Sequence, residues 1–143
     1  MGTIEYRAAC HCGALTASYH TALPPSAWSV RACQCSFCRR HAALTISDPA
    51  GLIAYHCSDP PLLQRYRFGS RSADFLICRA CGVYMGAEIS SEGERFGILN
   101  ALTLVPVPPD LPPPASMDYT EETPDTRRQR RRARWTPVAT ASL

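Results

Sequence analysis

The chain contains no lysine, and all 15 of its basic residues are arginine. Schiff-base chemistry and the lysine of a phosphate-binding P-loop are therefore excluded. No run approaches the roughly 20 apolar residues that span a bilayer. The opening MGTIEYRAACHCG carries neither the basic nor the apolar region of a secretory signal. Position 6 is Tyr6, where a myristoylation signal needs serine or threonine. These gaps predict a cytoplasmic protein without membrane attachment. A Gly-rich phosphate loop and a Ser-His-Asp arrangement are missing as well.

A one-signed charge field is also lacking. Up to Pro109 nine arginines face seven acidic residues, and the other six arginines gather between Arg127 and Arg134. Five acidic residues from Asp110 to Asp125 offset that run. No aromatic surface interleaves it, so nucleic acid is not an expected partner. A solvated or self-docking helix is expected there, and association through the tail stays open.

Cysteine is abundant, at 8 in 143 residues. The pattern is Cys10-x-Cys12, Cys33-x-Cys35-x-x-Cys38 and Cys78-x-x-Cys81, with Cys57 alone. Such short spacings bring thiolates close enough to share a metal. A Cys-x-Cys pair makes a poor disulfide, because the ring is small and strained. Metal binding is therefore expected, with two zinc ions per chain. Cys10, Cys12, Cys78 and Cys81 are read as a closed structural site, with Gly13 and Gly82 letting the backbone fold round the metal. Cys33, Cys35 and Cys38 supply only three thiolates, the composition of an open, catalytic site. Other pairings exist: Cys10 and Cys12 with the middle cluster, Cys57 as a fourth ligand of the trio, or an iron–sulfur cluster on the same residues. Cys57 reads as a buried apolar thiol. His11, between two ligands, is expected to point away from the metal.

Alternating and β-branched segments predict short strands over 3–8, 14–20, 27–32, 43–47, 52–57, 62–68, 74–78, 83–89 and 95–102, and Cys38 to His41 a helical turn. The spacing suggests an antiparallel, mainly β domain stapled by zinc knuckles over residues 1–105. Residues 106–143 read as a Pro-rich connector followed by a helix from Pro124 to Trp135, capped by Thr123 and ended by Pro137.

Cys10-His11-Cys12-Gly13, Cys33-Gln34-Cys35-Ser36-Phe37-Cys38-Arg39 and Cys78-Arg79-Ala80-Cys81-Gly82 resemble the glutathione-dependent formaldehyde-activating enzyme family, which includes centromere protein V. The resemblance covers roughly residues 5 to 105. It implies a β-tent fold, the four-plus-three division of cysteines and a carbon–sulfur lyase acting on thiol–aldehyde adducts. Val83-Tyr84 stands where Thr-His is common in that family. An open three-thiolate zinc has room for the sulfur of a small-molecule thiol such as glutathione, which would attack an aldehyde such as formaldehyde. Arg39, Arg40 and His41, the nearest donors in sequence, are the candidate substrate contacts. The competing expectation is a non-enzymatic zinc-stapled interaction module that binds a protein or nucleic-acid partner.

Overall fold

A computed structural model describes residues 2–143. The fold is mainly β, in two sheets. The smaller sheet is antiparallel and runs β1 (Ile4–Ala9), β2 (Leu15–Thr21), β5 (Leu52–Cys57). In β2 the residues Leu15, Ala17, Tyr19 and Thr21 are buried while Thr16, Ser18 and His20 are half-buried, the period-2 pattern of a strand with one face on a core.

The larger sheet has the order β10 (Ala115–Met117), β3 (Arg31–Cys33), β4 (Thr45–Ile46), β9 (Glu94–Asn100), β8 (Tyr84–Ser91), β7 (Asp74–Cys78), β6 (Leu63–Tyr66), with β11 (Thr136–Pro137) also paired to β9. β8 and β9 lie at its centre, and their residues from Tyr84 to Ile89 and from Phe96 to Asn100 are buried continuously. Leu15, Tyr19, Ile53 and Tyr55 of the smaller sheet share one core with Leu76, Met85 and Leu99 of the larger. The Tyr55 hydroxyl crosses between the sheets and donates to the Ile98 carbonyl at 2.6 Å. A register shift between Leu76 and Ile77 brings Ile77 opposite Tyr84, and both pack in the small cluster around Cys38.

Residues after 105, expected as a connector and tail, also pair with and pack on this architecture. β10 adds in parallel to β3. Helix α2 (Pro124–Arg134) starts at the expected N-cap, Thr123, in a reciprocal capping arrangement with Thr126. It stops at Arg134, one residue before the expected end. Trp135 is then buried with Ala87, Ile89, Phe96 and Ile98. Thr136 and Pro137 form a strand instead of only ending the helix, and the Thr136 hydroxyl accepts from the Asp48 amide at 2.8 Å. The expected strand over 27–32 is replaced by a 3-10 turn at Pro25–Ala27 and the shorter β3. The other short helix, α1 (Ser36–His41), carries the last cysteine of the middle cluster.

Candidate metal centre

Two cysteine clusters form, divided as four and three: Cys10, Cys12, Cys78 and Cys81 in one, Cys33, Cys35 and Cys38 in the other. Within each, the sulfurs lie within 4.8 Å of one another, and either cluster could hold a metal ion. The four-cysteine cluster joins the ends of β1 and β7 through two similar knuckles. The Cys10 amide donates to the Leu15 carbonyl at 2.9 Å, and the Cys78 amide to the Val83 carbonyl at 3.0 Å. Gly13 and Gly82 turn each knuckle back at φ of +83° and +79°, a conformation that costs a side-chain-bearing residue energy. The turns leave Cys12 Sγ at 3.7 Å from Cys10 Sγ and 3.6 Å from Cys78 Sγ. Metal–thiolate bonds of about 2.3 Å in a tetrahedral shell separate sulfurs by about 3.8 Å, so the donor set fits one thiolate-bound ion. The Leu15 amide donates to Cys10 Sγ at 3.3 Å, a contact that holds the ligand in place. Burial pushes the Cys81 thiol up, but the amides of Cys12 and Val83, with help from Cys78 and Cys10, outweigh it and bring it down to about 6.

The trio is assembled locally. Cys33 ends β3, Cys35 caps α1 and Cys38 lies in its first turn, donating its amide to Cys35 Sγ at 3.3 Å. Hydrogen bonds from the Cys33 and Cys38 thiols, and then from the Cys38 and Phe37 amides, hold Cys35 far below the ordinary thiol range despite burial. Cys38 is pushed up by the same two neighbours, Cys33 and Cys35, and by burial. Within the trio, Cys35 is thus the sulfur that ionises most readily. Aromatic rings back it: Phe37 sits 4.8 Å from Phe75 and 5.0 Å from Tyr84, edge-on to both.

A cavity of about 220 Å³ opens beside the trio and is lined by all three of its cysteines. Phe68 and Phe75 form part of its apolar wall, and Arg31, Arg127, Arg130 and Arg131 bring positive charge. Burial lowers Arg131 to about 10, with repulsion from Arg130 and Arg127 adding to the effect. Burial likewise lowers Arg31. Both stay cationic at pH 7.

The expected substrate contacts lie elsewhere. Arg39 and Arg40 are exposed on α1, and His41 is half-buried 4.4 Å from Phe37, so none of them lines the cavity. Helical geometry places only Arg40 on the far side of α1; Arg39 and His41, four residues after Cys35 and three after Cys38, flank the cysteine face yet stay outside the cavity. The cavity arginines come from β3 and from α2. Two sequence signals pointed to them. Arg31 precedes Cys33 by one strand period, and Arg127, Arg130, Arg131 and Arg134 form a stripe at helical spacing. Cys57 joins neither cluster; it packs on the main core and donates its S–H to the Asp59 carbonyl at 3.1 Å. His11 is exposed and outside both donor sets, as expected. Asp74 and Glu88 face each other across β7 and β8 and share Arg65.

No helix among the described residues is long and apolar enough to cross a membrane. No family model matches the chain, and no curated protein matches it. Among solved structures, the chain is similar to a Rhodobacter sphaeroides protein whose crystal structure came from structural genomics. The two are 32% identical with a TM-score of 0.58, over 78% of this chain and 99% of that one. At that identity, over essentially the whole of the neighbour, the chain belongs to the same family as this Rhodobacter sphaeroides protein.

Proposed function

We propose that the protein is a zinc-dependent carbon–sulfur lyase or carrier that handles adducts of a small thiol with an aldehyde, such as S-(hydroxymethyl)glutathione. The observation that carries this reading is the contrast between the two clusters. Four sulfurs are enough to fill a tetrahedral shell, whereas three leave a position open and border a cavity of about 220 Å³. All-sulfur donor sets in this arrangement suit zinc. Zinc held by Cys33, Cys35 and Cys38 would keep a substrate thiol ionised at neutral pH, where a free thiol near pKa 8.5 is only a few per cent thiolate.

The chain's own residues supply confinement and charge. Phe68 and Phe75 limit water beside the trio, and the arginines attract anions to it. In the forward direction the thiolate lone pair forms the carbon–sulfur bond with the aldehyde carbon. The carbonyl π pair moves to oxygen, which takes a proton from solvent. The lyase direction reverses each step. Ionisation alone offers a modest gain, about tenfold to a hundredfold, and orientation in the cavity would add to it.

Exchange NMR of formaldehyde with glutathione, in the presence and absence of zinc-loaded protein, tests the reading. Faster exchange that is lost in Cys35→Ser supports it. Thiol binding without faster exchange assigns a carrier. Neither binding nor acceleration leaves a zinc-stapled interaction module. The docking of α2 on its own sheet, with Glu122 paired to Arg127 and Arg130, weighs against nucleic acid as the partner of such a module.

A further inference from the structure

The charge compensation around the cavity is uneven. Arg127 and Arg130 meet Glu122 at 3.4 and 2.5 Å. Arg128 meets Asp125, and Arg132 meets Glu94 at 2.9 Å. Arg31 and Arg131 have no carboxylate partner among the described residues. Arg31 donates only to neutral oxygens, the Ser29 carbonyl at 3.1 Å and the Ser47 hydroxyl at 2.7 Å. Arg131 donates to the Ser72 hydroxyl at 2.8 Å and lies over the Trp135 ring at 5.0 Å. Its Nε–H is buried with no protein acceptor. The carboxylate on the cavity wall, Asp118, accepts from the Thr120 amide at 3.0 Å and forms no ion pair with either arginine.

Leaving a buried donor unsatisfied costs about 1–3 kcal/mol, and more when the group is charged. A guanidinium offers its N–H groups in a fixed fork that matches the paired oxygens of an oxyanion. The cavity volume of about 220 Å³ is below the roughly 300 Å³ at which pockets for drug-sized ligands begin. A ligand that reaches both the trio and the arginines inside that volume has its sulfur and an acid group close together, and the rest of a longer thiol such as glutathione would lie outside the cavity.

We propose that Arg31 and Arg131 form an anion-selecting pair, so that the cavity prefers compact thiols bearing an oxyanion group and α2 is its specificity-determining element. This rests on the reading of the trio as a thiol site. The anion site itself does not, and the two can fail separately. Carboxylate and phosphate share the required chemistry.

The test uses full-length, zinc-loaded protein. Calorimetry compares 3-mercaptopropionate with 2-mercaptoethanol and cysteamine. Tryptophan fluorescence, reporting on Trp135, follows succinate and inorganic phosphate, which carry no sulfur. The expected result is at least tenfold tighter binding of 3-mercaptopropionate than of 2-mercaptoethanol, with cysteamine weakest. Arg131→Gln and Arg31→Gln, checked for metal content, should each collapse that ratio towards one. Succinate should give a saturable fluorescence change that Arg131→Gln abolishes; a response to phosphate alone would assign the group to a phosphate and keep the pair. Should both variants misfold, the wild-type preference and its decline with added sodium chloride still decide. Equal binding of charged and neutral thiols, with no response to either anion, overturns the proposal and leaves the thiol reading standing. A response to succinate or phosphate with no thiol bound upholds the pair and sinks the thiol reading.

Discussion

Tyr55 and Gly97 meet where the two sheets touch. A Cβ on Gly97 would run into the Tyr55 hydroxyl, with two ring carbons 3.2 Å away. Gly97→Ala is therefore expected to lose about 1–3 kcal/mol through overpacking. Tyr55→Phe should lose about 1 kcal/mol with its hydrogen bond. Because removing the hydroxyl makes room for the new methyl group, the double variant should lose less than the sum of the two, and urea unfolding of all four proteins reads that coupling. The cysteines divide by consequence in the same way. Serine at Cys10, Cys12, Cys78 or Cys81 should lower the melting temperature sharply, since metal binding at a closed site is folding energy. Serine at Cys33, Cys35 or Cys38 should spare most of it and abolish function; equal losses at all seven would reject the division. The clustering of these seven cysteines was legible in the sequence because each short spacing already brings its own sulfurs together. Arg31 and Arg131 left only faint signals, a strand period before Cys33 and a stripe at helical spacing, and neither says which distant helix face will roof a cavity.

At the scale of elements, helix α2 shows both sides of that lesson. Thr123 and Pro124 marked its start correctly, since capping is a property of adjacent residues. Strands β5 and β7 were also read to the residue, because their flanking Gly51, Ser58 and Ala73-side turns break the apolar pattern at both ends. Strands β10 and β11 escaped, being three and two residues long with no periodicity to detect. Tertiary pairing makes them. What fastens α2 is partly Glu122. Burial pushes its carboxyl up, but hydrogen bonds and charge from Arg130, then Arg127, outweigh this and hold it below the usual 4.5. A carboxylate depressed in the folded state stabilises above its unfolded pKa, and the benefit fades as pH falls through the folded value. Wild-type protein should therefore lose more stability than Glu122→Gln as pH drops below about 4.5. Melting temperatures of the two between pH 6 and 3 should converge, and parallel curves would show that the pair does not hold the helix.

On the scale of the whole molecule, two cysteine clusters that could each hold a metal ion, one of four sulfurs and one of three, sit on a chain whose core is shared by both sheets. A mild chelator should remove the ion of the three-cysteine site first and leave the fold standing, and only a stronger one should unfold the protein by stripping the four-cysteine site. Elemental analysis alongside circular dichroism would follow both, and loss of the two ions in step would count against the unequal sites. The split of the closed site along the chain matters during synthesis too. Cys12 and Cys78, with sulfurs 3.6 Å apart in the finished fold, are separated by 66 residues of chain. A ribosome adding about 5–20 residues per second delivers Cys78 about 3–13 s after Cys12. Cys33, Cys35 and Cys38 emerge together within that interval. If both clusters take a metal, the trio is complete on the nascent chain before the four-cysteine cluster is, and an ion held there early would keep three thiols from pairing wrongly with Cys10 and Cys12 while they wait for their partners.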